Sequence, residues 1–141
     1  MSADLPSLFA PTLVAKLFAL RDVPPFDRLP ATELALLAEV ADARVYAPGE
    51  TLQSGAEPAS RVLVVIAGRA VDARGAEVGP ILGVTPLLLN VLPPNVTADP
   101  VAGARALVIA KAHFFTLVRE CPAFLVGLLE VGDHGARSPA S

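Results

Sequence analysis

A chain of 141 residues fits one domain of ordinary size and buries a real core without disulfide or metal staples. Apolar residues make up 53%, charged residues only 18%, and the mean hydropathy is +0.57; the surface is therefore poor in charge, and an exposed apolar patch with a partner is expected. A net charge of -3 and a pI of about 5.3 exclude a nucleic-acid face, which needs clustered Lys and Arg.

The single cysteine, Cys121, leaves no disulfide framework and points to a reducing compartment. The start, Met1-Ser2-Ala3-Asp4, lacks the basic region of a signal peptide, so a cytoplasmic protein is the expectation. Without such a signal the Asn95-Val96-Thr97 sequon carries no weight. No apolar run approaches the ~18 residues of a membrane span. The longest, Val62 to Ala67, suits a strand.

Residues 1–11, with Pro6 and Pro11, read as a flexible lead-in to a domain over 12–132. Leu13, Val14, Leu17, Phe18 and Leu20 follow helical spacing behind a capping Thr12. Pro24-Pro25 ends that helix. Pro30 starts a second one, with Leu34, Leu37, Ala38 and Ala41 on one face and an end near Asp42. From Arg44 the period changes to two. Strands are predicted over 44–47, 51–53, 61–66, 69–73, 76–78 and 104–109, punctuated by Pro48-Gly49, Gly55, Gly68 and Arg74-Gly75. The nearly continuous apolar run of 61–66 predicts burial on both faces. Helices follow over 111–118 and 122–131, the last stopped by Gly132, with a disordered polar tail over 133–141. Many short strands flanked by helices predict a mainly β fold, a β-roll of jelly-roll type with helices at both ends.

Between the strands lies residues 79–98, GPILGVTPLLLNVLPPNVTA, which has the Gly and Pro punctuation of a loop. Its Leu87-Leu88-Leu89 run is expected to be buried. It is the place for a ligand, yet it holds no acidic and no basic residue. Gly55, Gly68 and Gly83 are read as serving turns and close strand contacts. Elsewhere chemistry is sparse. His113 and His134 have no Cys, Asp or Glu cluster around them, so no metal site is expected. Cys121 reads as a packing residue and Glu50 as a turn cap. No nucleophile elbow, P-loop or paired carboxylates appear, and the chain is not read as an enzyme.

Several fragments share an order that resembles the cyclic-nucleotide-binding domain family over roughly 17–131. Tyr46-Ala47-Pro48-Gly49-Glu50 is similar to the family's Y-x-P-G-E turn. Gly55, then Val62 to Ile66, then Gly68-Arg69-Ala70 is similar to its central strand pair. Leu20 to Phe26 with Leu29-Pro30 resembles the entry helices, and Ala104 to Ile109 with Phe114 to Leu117 and Pro122 the final strand and exit helices. The resemblance implies a double-stranded β-helix enclosing cAMP or cGMP, and a phosphate-binding cassette of the form G-E-x-A-L-L…P-R-x-A-T-V. In that cassette the Glu receives the ribose 2′-OH and the Arg pairs with the cyclic phosphate.

The cassette here would comprise Gly83, Val84, Thr85, Leu87, Leu88, Asn95, Val96 and Thr97. Val84 stands where Glu belongs and Asn95 where Arg belongs. Each lost charged hydrogen bond costs ~1.5–3 kcal/mol, and two lower affinity by roughly 10²–10⁴. The expectation is a stand-alone regulatory or protein-interaction module with nucleotide binding weak or lost and no cofactor. The alternative is a genuine receptor for cAMP, cGMP or another small ligand, using backbone donors with Asn95 and Thr97. The apolar terminal helices, 12–20 and 122–131, are the expected face for a partner protein or a second copy.

Overall fold

A computed structural model describes residues 12–137. The expected lead-in, 1–11, and the last residues of the expected tail, 138–141, lie outside them. Helix α1 spans Leu13–Arg21, a 3₁₀ turn covers Phe26–Arg28, and α2 spans Ala31–Val40. Eight strands follow: β1 (Asp42–Tyr46), β2 (Thr51–Gln53), β3 (Arg61–Gly68), β4 (Ala70–Val71), β5 (Glu77–Val78), β6 (Ile81–Leu82), β7 (Val96–Ala98) and β8 (Ala104–Ala110). A short α3 (Val84–Leu89) separates β6 from β7, and α4 (Lys111–Glu120) and α5 (Pro122–Arg137) close the described chain.

The strands form two antiparallel four-stranded sheets, ordered β1-β8-β3-β6 and β2-β7-β4-β5. This is the expected β-roll, flanked by helices at both ends. Strand β3 is its spine. It pairs with β8 along its whole length and with β6 through Leu63–Leu82 and Val64–Ile81. Leu63 faces the roll interior with Leu52, Leu82, Val96 and Val108. Val62 and Val64 face the other way, into a helical core with Leu20, Phe26, Leu34, Leu107 and Phe114. Burial on both faces explains why the strand has no polar alternation.

Local chemistry sets the element ends. Thr12 Oγ1 accepts the Ala15 N–H at 3.1 Å, the predicted cap of α1. Lys16 Nζ donates to the Ala41 carbonyl at 2.7 Å, tying α1 to the exit of α2. That exit comes at Val40 rather than near Asp42, because Ala41 is extended and Asp42 already pairs with Val108 on β8. The hairpin strands are shorter than predicted, two residues each. Asp72 causes this: its Oδ1 accepts the N–H groups of Arg74 at 2.9 Å and Ala76 at 3.0 Å, closing the turn early. Glu50 Oε1 accepts the Ala47 N–H at 2.8 Å, so it caps its turn as expected. Helix α5 does not stop at Gly132 but continues to Arg137. It is anchored by Phe124 tilted against Phe26, with ring centroids 5.1 Å apart, and by Gly127, where a Cβ would come within 2.9 Å of the Pro25 ring.

The roll interior holds one polar anomaly. Tyr46 is buried among apolar side chains and four alanines (Ala70, Ala98, Ala104 and Ala106), and its hydroxyl finds no hydrogen-bond partner. A buried hydroxyl without a partner carries a desolvation cost of about 1–3 kcal/mol, which the ring's burial offsets. Tyr46→Phe removes that cost and keeps the ring. Chemical denaturation should find the variant as stable as the wild type or more stable by about 1 kcal/mol; a loss of stability would reveal a partner for the hydroxyl.

Candidate functional site

The segment expected to be a loop, 79–98, is structured: β6, the single turn-and-a-half of α3, and β7. Gly83 joins β6 to α3 at φ +93°, and a Cβ there would stand 2.7 Å from the Arg61 carbonyl oxygen. Only glycine fits both the backbone angle and that approach. Asn90 ends α3 in the left-handed conformation, with the Val91 N–H closing back on the Pro86 carbonyl at 3.1 Å.

An anion at the start of α3 would find few donors. Pro86 has no N–H, and the Leu87 N–H is committed to the Gly83 carbonyl at 3.1 Å. The N–H groups of Val84 and Thr85 remain. The Val84 side chain, where the resemblance places a carboxylate, is buried and belongs to the helical core. Leu87 is buried beside it and Leu88 is half-buried. The expectation of a buried leucine run fails at Leu89, which is 65% exposed. Successive helical residues point about 100° apart, so a short surface helix hides one side only. Val91 and Leu92 are exposed as well.

The Asn95 end of this cassette is held by a residue the sequence did not flag. Gln53 on β2 is buried; its Nε2 donates to the Pro94 carbonyl at 3.0 Å, and its Oε1 lies 3.5 Å from the Cβ position of Gly83. Asn95, where the resemblance places the guanidinium, is used locally: its Oδ1 accepts the Gly55 N–H at 2.7 Å. Gly55 also needs its missing side chain, since a Cβ would meet the Pro93 carbonyl at 2.9 Å. Val96 is buried in the roll, and Thr97 is half-buried on β7, paired with Thr51 and Val71. Thr85 is exposed. The eight expected residues therefore lie on one continuous segment, tied to the β2 region at its Asn95 end. A cleft of about 200 Å³ opens between residues 51–61 and Pro93 of the same segment; none of the eight residues lines it.

The ion pair among the described residues lies just past the cassette. Asp99 is buried, and its carboxylate accepts the N–H groups of Ala102 at 2.7 Å and Val101 at 2.9 Å and the Arg69 guanidinium. Neither residue was singled out in the sequence, although an Asp-Pro pair after a strand is a turn signal. The backbone donors of Ala102 and Val101, with Arg69 adding to them, hold the Asp99 carboxyl below its ordinary value against the opposing effect of burial. Burial pushes the Cys121 thiol up, with Glu33 and Glu120 adding to it, which suits a packing cysteine and not a nucleophile. His113 is exposed, and no cluster of metal-ligating side chains occurs among the described residues.

No family model matches the chain, and no curated protein matches its sequence. Solved structures match its fold. The regulatory domain of Toxoplasma gondii PKA with cAMP superposes with a TM-score of 0.66 at 18% identity, over 75% of this chain and 45% of that one. The regulatory subunit of a cAMP-independent protein kinase A from Trypanosoma cruzi, bound to guanosine, gives 0.64 at 18% identity, over 85% and 47%. A protein of Ruegeria pomeroyi described as a candidate cyclic nucleotide binding protein gives 0.60 at 24% identity, over 89% and 60%. The chain thus spans about half the length of the structures it matches, and its fold is that of cyclic-nucleotide-binding regulatory domains.

A carboxyl whose folded pKa lies below its unfolded value of about 3.9 adds stability above that value and loses it as pH falls through the folded one. Denaturation midpoints measured between about pH 5 and pH 2 should therefore fall more steeply for the wild type than for Asp99→Asn. Parallel curves would mean that Asp99 titrates as it does in the unfolded chain.

Proposed function

We propose that this chain is a regulatory or protein-interaction module of the cyclic-nucleotide-binding fold, working in the cytoplasm without catalysis, in which phosphate binding is weak or lost. One observation carries the reading. The cassette segment, Gly79 to Ala98, has no charged residue, and the two positions that would hold the ligand are spent on structure: Val84 in the helical core and Asn95 on the Gly55 N–H. A cyclic phosphate there would give up its hydration for two backbone donors and neutral side chains. A phosphate oxygen gains most from a guanidinium, and none lies on the cassette.

Calorimetric titration tests this directly. The wild type should bind cAMP and cGMP no more tightly than about 100 μM, and Val84→Glu with Asn95→Arg should tighten binding at least about tenfold if the cradle keeps its shape. Low-micromolar binding by the wild type would end the proposal. A second reading is favoured by the same neutrality. The Trypanosoma cruzi neighbour is bound to guanosine, an uncharged nucleoside, and an uncharged cassette suits such a ligand better than its cyclic phosphate. In that case guanosine or adenosine would bind more tightly than cGMP or cAMP in the same titration.

The protein-interaction half of the reading rests on the ends of the domain. Leu13, Val14 and Phe18 on α1, and Val126 and Leu129 on α5, are exposed large apolar side chains. A partner protein or a second copy would cover them. Light scattering coupled to gel filtration should show concentration-dependent self-association that Phe18→Glu and Val126→Glu reduce. A strict monomer at every concentration would leave the partner-protein form alone standing.

A further inference from the structure

Strand β1 ends its sheet, with β8 on one side of it and no strand on the other. The open side carries unspent backbone groups. The Val65 N–H donates to the Pro80 carbonyl at 2.8 Å, on the β6 side, so Val64 beside it bonds to Leu107 on β8. The neighbours of Leu107, Ala106 and Val108, turn their N–H and C=O groups the other way, to Arg44 and Asp42 on β1. Ala43 and Val45 alternate with those two and direct their own backbone groups to the open side. Among the described residues no loop or side chain meets them there. Such an edge is ordinarily guarded by charge, which repels an incoming strand of like charge. Asp42 and Arg44 lie on one face of β1, two positions apart, both exposed, and among the described residues neither has an ion-pair partner. A single sign would guard the edge. Both signs at this spacing make the strand complementary to an antiparallel copy of itself.

We propose that β1 is a docking edge for a second copy of this chain, the two strands pairing antiparallel about a two-fold axis at Ala43. In that register Ala43 faces Ala43 of the second copy, and their outward N–H and C=O groups close a hydrogen-bonded pair. Asp42 then faces Arg44 of the second copy, and Arg44 faces its Asp42. Both are non-hydrogen-bonded positions, where opposed side chains come closest. The neighbouring register, centred on Arg44, sets guanidinium against guanidinium and is disfavoured by its own charge. Val45, 41% exposed on the other face, gains cover from the same pairing. Pairing ends at Ala41, whose carbonyl already accepts Lys16. The contact is therefore short, and it makes a weak, closed dimer and not a filament. It uses none of the exposed apolar residues of α1 and α5 and does not rest on them.

Charge exchange tests this. Sedimentation velocity on the full chain should show a monomer–dimer equilibrium with a dissociation constant below about 1 mM. Asp42→Arg and Arg44→Asp should each weaken it about tenfold or more, because each sets like charges opposite one another twice. The double variant restores opposite charges with the signs exchanged, and should return to within about threefold of the wild type. Arg74→Asp, on the exposed hairpin turn, should leave it unchanged. Hydrogen exchange followed by NMR on the wild type gives a second readout, which stands even if a variant does not fold: protection of the Ala43 amide should rise with protein concentration. A strict monomer at about 1 mM overturns the proposal, and leaves the partner-protein form of the proposed function standing. A double variant as weak as the single ones overturns it too, as does Ala43 exchange that ignores concentration. Association that no charge change moves also overturns it, and assigns the contact to the apolar ends.

Discussion

Strand β3 has to satisfy two cores at once, and most of the architecture follows from that. Leu63 completes the roll interior, while Val62 and Val64 complete the helical layer outside it. A polar residue at any of the three would be buried without a partner. The same strand sets the cassette. Its pairing with β6 delivers the chain to Gly83, and the Arg61 carbonyl then stands where any side chain at Gly83 would be. The start of α3 is thus placed by backbone against backbone.

The contacts that hold this segment are also without charge. Its ends are held by an amide on β2, a left-handed glycine and an asparagine on a loop amide, all neutral and all internal. Similarity of fold to cAMP-bound domains is a likeness of architecture and carries no statement about affinity for cAMP.

The strand spine, the capped first helix, the Pro48-Gly49 turn and the roll with helices at both ends could all be read from periodicity and punctuation, since each depends on neighbours close in sequence. The cassette was harder. Gly83, Val84 and Asn95 were legible as a departure from a pattern, but the way Asn95 is used was not, because Gly55 lies 40 residues away in the chain. Gln53 left no signal for the same reason, and the Asp99-Pro100 pair signals a turn but not the ion pair with Arg69, 30 residues away: a buried polar residue looks like any other until its distant partner is known. Leu89 failed for a simpler cause. A triple leucine suggests burial, but a helix of six residues on the surface hides one stripe and exposes the rest. Gly132 was read as a stop, yet the helix runs on to Arg137; glycine inside a helix costs only about 1 kcal/mol.

The tyrosine in the roll has a consequence for how this domain can change. One large ring shares a closed interior with four methyl-sized side chains. Close-packed space of that kind is conserved in sum, not position by position. Enlarging one alanine alone overfills it, and trimming the ring alone empties it. Related chains should therefore exchange bulk between position 46 and positions 70, 98, 104 and 106 in compensating steps, leaving a correlated pattern along strands that are far apart in sequence.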